Sequence, residues 1–291
     1  MWNVVRVVIG VCLAVFAARE MFHDLFHPSE RGSVSELIAG RVFSLYRRSP
    51  RRLPTAAPLA VVVILLAWAI CLATGFAFIY WGVPAENFKV EENVAGPPNG
   101  FWTSFYYSLE VMTTLGFGDI KPIPAWLRLI VTLHTLIGFA LVTASMTWIL
   151  LIFPALSRIN LLAVTASALR EAENRTGSQV VCIESEGVLE RLLTGVIQFR
   201  VDLIHYPIVY YFRADRDDAC LARSIGFIER FATEAAGDDA PEHIRFVGQA
   251  LNVALDDLAR FLAERFEQVD STPRRAVFQA YADDHLIALG D

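Results

Sequence analysis

Two long stretches of the chain carry no charged residue. One has 33 residues, between Arg52 and Glu86, and the other has 29, between Arg128 and Arg158. About 20 apolar residues are enough to cross the hydrocarbon core of a bilayer, and the buried helices of soluble proteins rarely run this long without a charge. The pattern therefore predicts two membrane-spanning helices, at residues 56–83 and 124–153.

A third apolar stretch, Val7–Ala18, is only just long enough to span, even with its flanks. Residues 15–17 resemble the cleavage site of a signal peptide. Residues 19–52 hold seven Arg and four acidic residues, whereas residues 84–127 hold two Lys and five acidic residues. The positive-inside rule places the first segment in the cytoplasm and the second outside. Because a cleaved signal would export the Arg-rich segment, the helix either spans with its N-terminus outside, which we favour, or lies along the inner surface.

The cytoplasmic segment contains an amphipathic stretch at residues 36–48, with Leu37, Ile38, Val42 and Leu45 near one helical face. Such a pattern is typical of a helix at the membrane interface. Four arginines precede the membrane entry, outside any spanning helix, so they do not suit a voltage sensor. They predict a positive-inside anchor that contacts anionic lipid, formed by Arg47, Arg48, Arg51 and Arg52.

The segment between the two long helices changes character at Gly100. Residues 84–100 are polar and end in a Gly-Pro-Pro-Asn-Gly turn cluster, as expected of an external loop. Residues 101–113 are apolar again, but their roughly three helical turns are too short to span. They predict a re-entrant helix that leads into the run Thr-Leu-Gly-Phe-Gly-Asp at residues 114–119.

Glycines alternate with larger residues in this run. Glycine freely adopts the dihedral angles that turn successive carbonyls the same way. An isolated Gly-x-Gly is more simply a tight turn, but this pair follows Thr-Thr and a short helix between two spans. Four chains around an axis would stack rings of carbonyl oxygens that replace the hydration shell of a monovalent cation. The rings would come from Thr114, Leu115, Gly116 and Phe117, with the Thr114 hydroxyl below them.

The run resembles the selectivity filter of the potassium channel family, Thr-Val-Gly-Tyr-Gly-Asp, with Leu115 for Val and Phe117 for Tyr. The resemblance is closest to the small two-helix bacterial channels of the proton-gated type and runs without a gap from Phe105 to Gly138. It implies a homotetramer, because one chain carries a single pore loop, with K⁺ as the permeant ion and no cofactor. The filter residues that it implies are Thr114, Leu115, Gly116, Phe117 and Gly118. The supporting residues that it implies are Thr113, Glu110, Asp119, Tyr106 and Tyr107.

The resemblance places the carboxyls of Glu110 and Asp119 together behind the filter. Two carboxyls so close do not both ionise readily, so one is expected to hold a proton and bridge the other. In related channels this pair influences whether the filter collapses. The alternative for Glu110 is a carboxyl satisfied by backbone groups. Phe117 lacks the hydroxyl of the usual Tyr, so a hydrogen bond to Tyr106 or Tyr107 is lost, which bears on filter stability and not on ion choice.

Gly138 in the second long helix matches the gating hinge of the family, since glycine weakens a helix locally. The alternative is a small residue for close helix packing. If the register of the family holds, Phe139, Val142 and Met146 line the inner cavity. His134, the only ionisable group deep in this helix, is interpreted as a packing or hydrogen-bonding residue in preference to a pH sensor.

Composition agrees with a membrane protein and divides the chain. Hydrophobic residues make up 55% and charged residues 19%, and the net charge of −6 argues against a nucleic-acid partner. The net charge is +2 over residues 1–154 and −8 over residues 155–291, which marks a domain boundary. The four cysteines are too scattered for a disulfide framework or a zinc site.

Residues 155–291 predict a helical, regulatory cytoplasmic domain with an unidentified cytoplasmic ligand or partner, and residues 155–173 are predicted to continue the inner helix past Pro154. The sequence lacks a Gly-x-Gly-x-x-Gly nucleotide motif after a strand and an EF-hand loop. Its acidic clusters are interpreted as helix caps and solvated faces in preference to a divalent-ion site. The apolar aromatic run at residues 205–212 is expected in the core. His23, Asp24 and His27 are too few for a metal site.

The sequence thus predicts an all-α membrane protein, a tetrameric pore-loop channel of the bacterial cell membrane with a cytoplasmic helical domain. The predicted divisions are residues 1–55, 56–154 and 155–291. The predicted function is passive, potassium-selective conduction, gated at the filter, near Gly138, or at both. Two rivals remain open: a weakly selective cation pore, and a membrane-anchored sensor or scaffold whose pore does not conduct. An enzyme is not predicted, because the C-terminal part shows neither a nucleophile with a base nor a phosphate loop.

Overall fold

The structure, a computed structural model, describes residues 1–26, 34–47, 55–91, 100–177, 186–214, 216, 219–267 and 273–290. These residues are mostly helical. The α-helices are α1 Trp2–Phe26, α2 Val34–Tyr46, α3 Ala56–Gly82, α4 Phe101–Met112, α5 Ala125–Thr176, α6 Glu186–His205, α7 Leu221–Ala235, α8 Glu242–Leu262 and α9 Arg274–Asp284. The shorter elements are 3₁₀ turns at Ala85–Asn87 and Pro207–Tyr211, a π-helical turn at Ala263–Glu267, and strands β1 Phe88–Val90 and β2 Ile120–Pro122.

Among the described residues, two helices are long and apolar enough to cross a membrane. They are α3 and α5, and they cover the two stretches without charge. Helix α5 is longer than the span at residues 124–153, because it continues without a break through Pro154 to Thr176. A helix of 52 residues extends about 78 Å at the usual rise, far beyond the hydrocarbon core. The change in charge near residue 154 therefore falls inside one helix.

The chain divides into two compact units. The first holds α1, most of α3, α4, the two strands and α5 up to Leu150. The second holds most of α2, the first six residues of α3, the rest of α5 and the helices α6 to α9. Most of α2 thus groups with the C-terminal helices, and the boundary at residue 55 stays a prediction.

In the first unit, α1 packs along α3 through glycine contacts. A Cβ on Gly10 would lie 2.5 Å from the Gly75 carbonyl oxygen, and one on Gly82 would lie 2.5 Å from Val7 Cγ2. Such approaches require small residues at both places. The paired residue numbers rise along α1 as they fall along α3, so the two helices run antiparallel. At the Gly82 end, the Arg6 guanidinium lies 3.8 Å from the ring centre of Trp81.

Strands β1 and β2 pair antiparallel, with Lys89 opposite Lys121. They connect the end of α3 to the segment between α4 and α5. These strands are not predictable from the sequence, since three residues are too few for a visible alternation of apolar and polar positions.

In the second unit, α6 to α9 pack around a core that also includes Leu162, Ala163 and Ala166 of α5. The Arg158 guanidinium on α5 donates two hydrogen bonds of 2.6 and 2.9 Å to the Asp202 carboxylate on α6. Further along α5, Glu173 accepts two hydrogen bonds from Arg230 of α7, which raises the pKa of that arginine. The aromatic run is part of this core, since Ile208, Val209 and Tyr210 are buried.

Candidate selectivity filter

Helix α4 is anchored before the filter begins. Ser108 Oγ donates a 2.8 Å hydrogen bond to the Ala73 carbonyl of α3. The buried Tyr107 ring lies against Tyr80 and Phe88, with centroids 5.0 and 5.7 Å away. These contacts fix the position of α4. Thr113 follows its last residue, and Thr113 Oγ1 donates a 2.7 Å hydrogen bond to the Leu109 carbonyl.

The backbone after α4 alternates in handedness. Thr114, Gly116 and Gly118 have positive φ angles of 59°, 63° and 75°, whereas Leu115 and Phe117 do not. Alternation between the two hands orients successive carbonyls to one side, unlike a regular strand. Thr114 is the unexpected member, because a β-branched residue rarely adopts a left-handed conformation. The sequence predicts left-handed backbone at Gly116 and Gly118 but not at Thr114.

Two side chains hold the far end of the run. Glu110 Oε1 accepts a 3.1 Å hydrogen bond from the Gly118 N–H, as the backbone alternative for Glu110 requires. Tyr106 donates a 2.9 Å hydrogen bond to Asp119 Oδ2. The hydroxyl of Tyr106 therefore has an acceptor even though residue 117 is Phe.

The remaining carboxyl oxygens bear on the shared proton. Glu110 and Asp119 interact electrostatically. Glu110 Oε2 and Asp119 Oδ1 are both buried, and neither has a hydrogen-bond partner among the described residues. One proton held between them would satisfy both oxygens, so the shared proton stays a prediction with a geometric reason.

Several residues predicted to line the pore are exposed in the single chain. Leu115 and Phe117 are 58% and 67% exposed. The residues predicted to line the cavity, Phe139, Val142 and Met146, are also exposed, although each is large and apolar. Large apolar side chains exposed together mark a surface that another protein or lipid covers.

Gly138 lies against the end of α4. A Cβ there would be 2.5 Å from the Met112 carbonyl oxygen and 3.0 Å from Met112 Cα. The position therefore has the close-packing role that was the alternative to a hinge. The hinge itself stays a prediction.

His134 has the packing and hydrogen-bonding role. It is fully buried, its Nδ1 lies 3.0 Å from the Tyr80 hydroxyl, and its ring stacks on Phe76 with centroids 3.6 Å apart. This contact joins α5 to α3, and the partner of His134 is not predictable from the sequence alone.

The residues considered for the lipid anchor and for a metal site are described only in part. Arg47 forms an ion pair with Asp284. Arg48, Arg51, Arg52 and His27 lie outside the described residues, so their predicted roles stay predictions. Asp24 accepts a hydrogen bond from Ser35. Within the described ranges, no group of three or more His, Cys, Asp or Glu side chains could hold a metal ion.

Comparison with known proteins gives one match. No curated protein and no solved structure matches the chain. Residues 59–153 match the model of a family described as "Ion channel". The matched region contains most of α3, all of α4, the alternating backbone and the apolar part of α5, so the match supports an ion channel in a membrane.

Proposed function

We propose that the chain is a potassium-selective channel, which conducts passively as a homotetramer through residues 114–118. The alternating handedness at Thr114, Gly116 and Gly118 carries the proposal. A left-handed conformation at a threonine is unfavourable, and it is maintained where the surrounding contacts enforce it for a function. The carbonyls of alternating residues form the coordination rings that a dehydrated monovalent cation needs.

The exposed pore residues support the fourfold assembly. One chain provides a quarter of each carbonyl ring and leaves Phe117, Phe139, Val142 and Met146 exposed. Copies around an axis would cover Phe117 and enclose the other three in a cavity. Gating is proposed at the filter, where Glu110 and Tyr106 act on its far end, at α5 near Gly138, or at both.

The proposed membrane topology is supported by charge and packing. The arginines of residues 19–52 place the start of α3 inside, so the filter lies toward the outer side and the C-terminal helices in the cytoplasm. Since α1 packs antiparallel along α3, it is proposed as a third spanning helix with its Trp2 end outside.

The test is a reversal potential across liposomes that hold opposed K⁺ and Na⁺ gradients, with two alanine variants. Gly116 and Gly177 have φ angles of 63° and 65°, and both have room for a Cβ. Alanine at either position therefore adds a similar backbone strain of about 1–2 kcal/mol, but only Gly116 lies in the filter. Gly177→Ala is thus the matched control for Gly116→Ala.

We expect a wild-type reversal potential near the K⁺ equilibrium value, a shift toward zero in Gly116→Ala and no shift in Gly177→Ala. A wild-type value near zero would overturn selectivity and leave a general cation pore. If the purified tetramer carries no flux, the non-conducting sensor or scaffold is the better description. If both variants keep wild-type selectivity, the backbone of residue 116 does not select the ion.

A further inference from the structure

Helix α2 has one face against the C-terminal helices and another away from them. Ala39 and Phe43 are 1% and 5% exposed, whereas Leu37 and Leu45 are 54% and 67% exposed. The exposed leucines belong to the face expected to meet the membrane. The buried residues belong to the same helix, so α2 has two partners at once.

Phe43 packs on a platform formed by Tyr211 and His285. The ring centroids are 5.2 Å and 5.6 Å from that of Phe43. The platform is held rigidly, since His285 Nδ1 lies 2.8 Å from the Tyr281 carbonyl oxygen and Nε2 lies 2.9 Å from that of Tyr210. A neutral imidazole donates one of these two hydrogen bonds.

Ion pairs hold α2 at both ends. Glu36 in its first turn pairs with Arg265, whose side chain is almost fully buried. Arg47, directly after α2, pairs with Asp284, which also accepts a 2.8 Å hydrogen bond from the Tyr210 hydroxyl.

Two backbone irregularities lie at these contacts. Arg265 belongs to the π-helical turn at Ala263–Glu267, and such turns are frequent at functional sites. Leu286, beside the platform, has a φ of 52°, which is unfavourable for a leucine. Both deviations from regular geometry occur where α2 is bound.

The same surface reaches the start of the outer pore helix. Ala56, the first residue of α3, is fully buried in one cluster with Phe43, and Leu286 packs against that cluster. On α5, the ion pairs Arg158–Asp202 and Arg230–Glu173 bind the same helical domain. The domain is therefore attached to both helices that continue into the pore.

We propose that the C-terminal helical domain controls the pore through α2, with Phe43 as the packing contact and Arg47–Asp284 as the latch. This proposal rests on the proposed channel function. A displacement of the domain is transmitted by α2 to the first turn of α3, in addition to its direct continuity with α5. The binding of α2 thus biases the equilibrium between the closed and open pore.

The experiment measures the single-channel open probability of the full chain in planar bilayers. Arg47→Asp and Asp284→Arg each place like charges at the latch, and the double variant restores an ion pair with reversed sign. Phe43→Ala removes the packing contact, and Leu45→Ala removes a similar apolar volume from the exposed face of the same helix. Gel filtration and circular dichroism establish that each variant is folded and assembled like wild type.

We expect each single charge variant and Phe43→Ala to change open probability about fivefold or more, the usual range for coupled sites. The double charge variant should return toward wild type, and Leu45→Ala should stay close to it. If folded Phe43→Ala and both single charge variants gate like wild type, the proposal is overturned. It is also overturned if the single charge variants change gating and the double variant does not recover.

These results are distinct from a failure of the channel function. If wild type carries no K⁺-selective current, the channel function fails. If wild type conducts and the variants gate identically, only the role of α2 fails.

Discussion

Substitution of Gly138 by alanine separates the packing role of this residue from the role of a hinge. The added Cβ would lie 2.5 Å from the Met112 carbonyl oxygen and 2.9 Å from Met112 Cγ. Real Cβ atoms do not approach other heavy atoms closer than 3.0 Å, so the end of α4 must move away from α5. Truncation of the Met112 side chain cannot relieve the contact, because the nearest atom belongs to the backbone.

The magnitude follows from two opposing terms. Overpacking of this kind costs about 1–3 kcal/mol. Alanine in a helix gains about 1 kcal/mol over glycine, so the net loss is expected at about 0–2 kcal/mol for each chain. The functional effect should be larger than the stability effect, because Met112 directly precedes Thr113 and the filter. We therefore expect a reversal potential shifted toward zero and a tetramer that dissociates at lower temperature.

The control is Gly187→Ala, in the first turn of α6, where an added Cβ meets no atom within 4 Å. It gives the same gain in helix propensity without a clash and should leave the tetramer and its selectivity unchanged. The packing argument is refuted if Gly138→Ala keeps wild-type selectivity and thermal stability. If it then opens less often, the hinge is the correct role, since a stiffer helix resists bending.

Three further predictions concern single contacts. Tyr106→Phe leaves Asp119 Oδ2 without its 2.9 Å hydrogen bond, so we expect about 1–2 kcal/mol less filter stability and a faster decay of current at constant voltage; an unchanged decay rate would contradict this. Arg158→Met leaves the buried Asp202 unpaired and should lower the melting temperature through a loss of about 2 kcal/mol, which is less than for a fully buried pair because Arg158 is partly exposed; adding Asp202→Leu should restore it. Burial lowers the pKa of His285 from 6.5, so the unfolded chain binds a proton below pH 6.5 that the folded chain does not. The free energy of unfolding should therefore fall as the pH drops below 6.5. Melting temperatures measured from about pH 8 to pH 5 should depend less on pH in His285→Gln than in wild type.

The sequence predicts the membrane helices and the re-entrant helix because their signals are local. Uncharged runs mark α3 and α5, and an apolar segment too short to span marks α4. The left-handed conformations of Gly116 and Gly118 can also be predicted, since glycine adopts left-handed dihedrals without penalty. The left-handed conformation of Thr114 cannot be predicted from the sequence, because it opposes the preference of a β-branched residue and depends on contacts in three dimensions.

Long-range contacts account for most of what the sequence left open. Periodicity finds the exposed face of α2 at Leu37 and Leu45, yet it gives no partner to Phe43. That partner, Tyr211 and His285, lies more than 160 positions further along the chain. Likewise, the pattern identifies Gly138 as unusual but cannot choose between a hinge and a packing contact until Met112 is seen beside it.

For helix α1, sequence and structure support a membrane topology only when they are taken together. By charge alone it either spans or lies along the inner surface. Packing alone shows that α1 runs antiparallel to α3, through Gly10, Gly75 and Gly82, without indicating a membrane. Because α3 is long and apolar enough to span, the packing of α1 along it from Gly82 to Gly75 supports the proposal that α1 also spans and does not lie flat. In that proposed topology Arg6, over the Trp81 ring, would lie at the outer end, where interfacial aromatic residues are common and a charge can reach water.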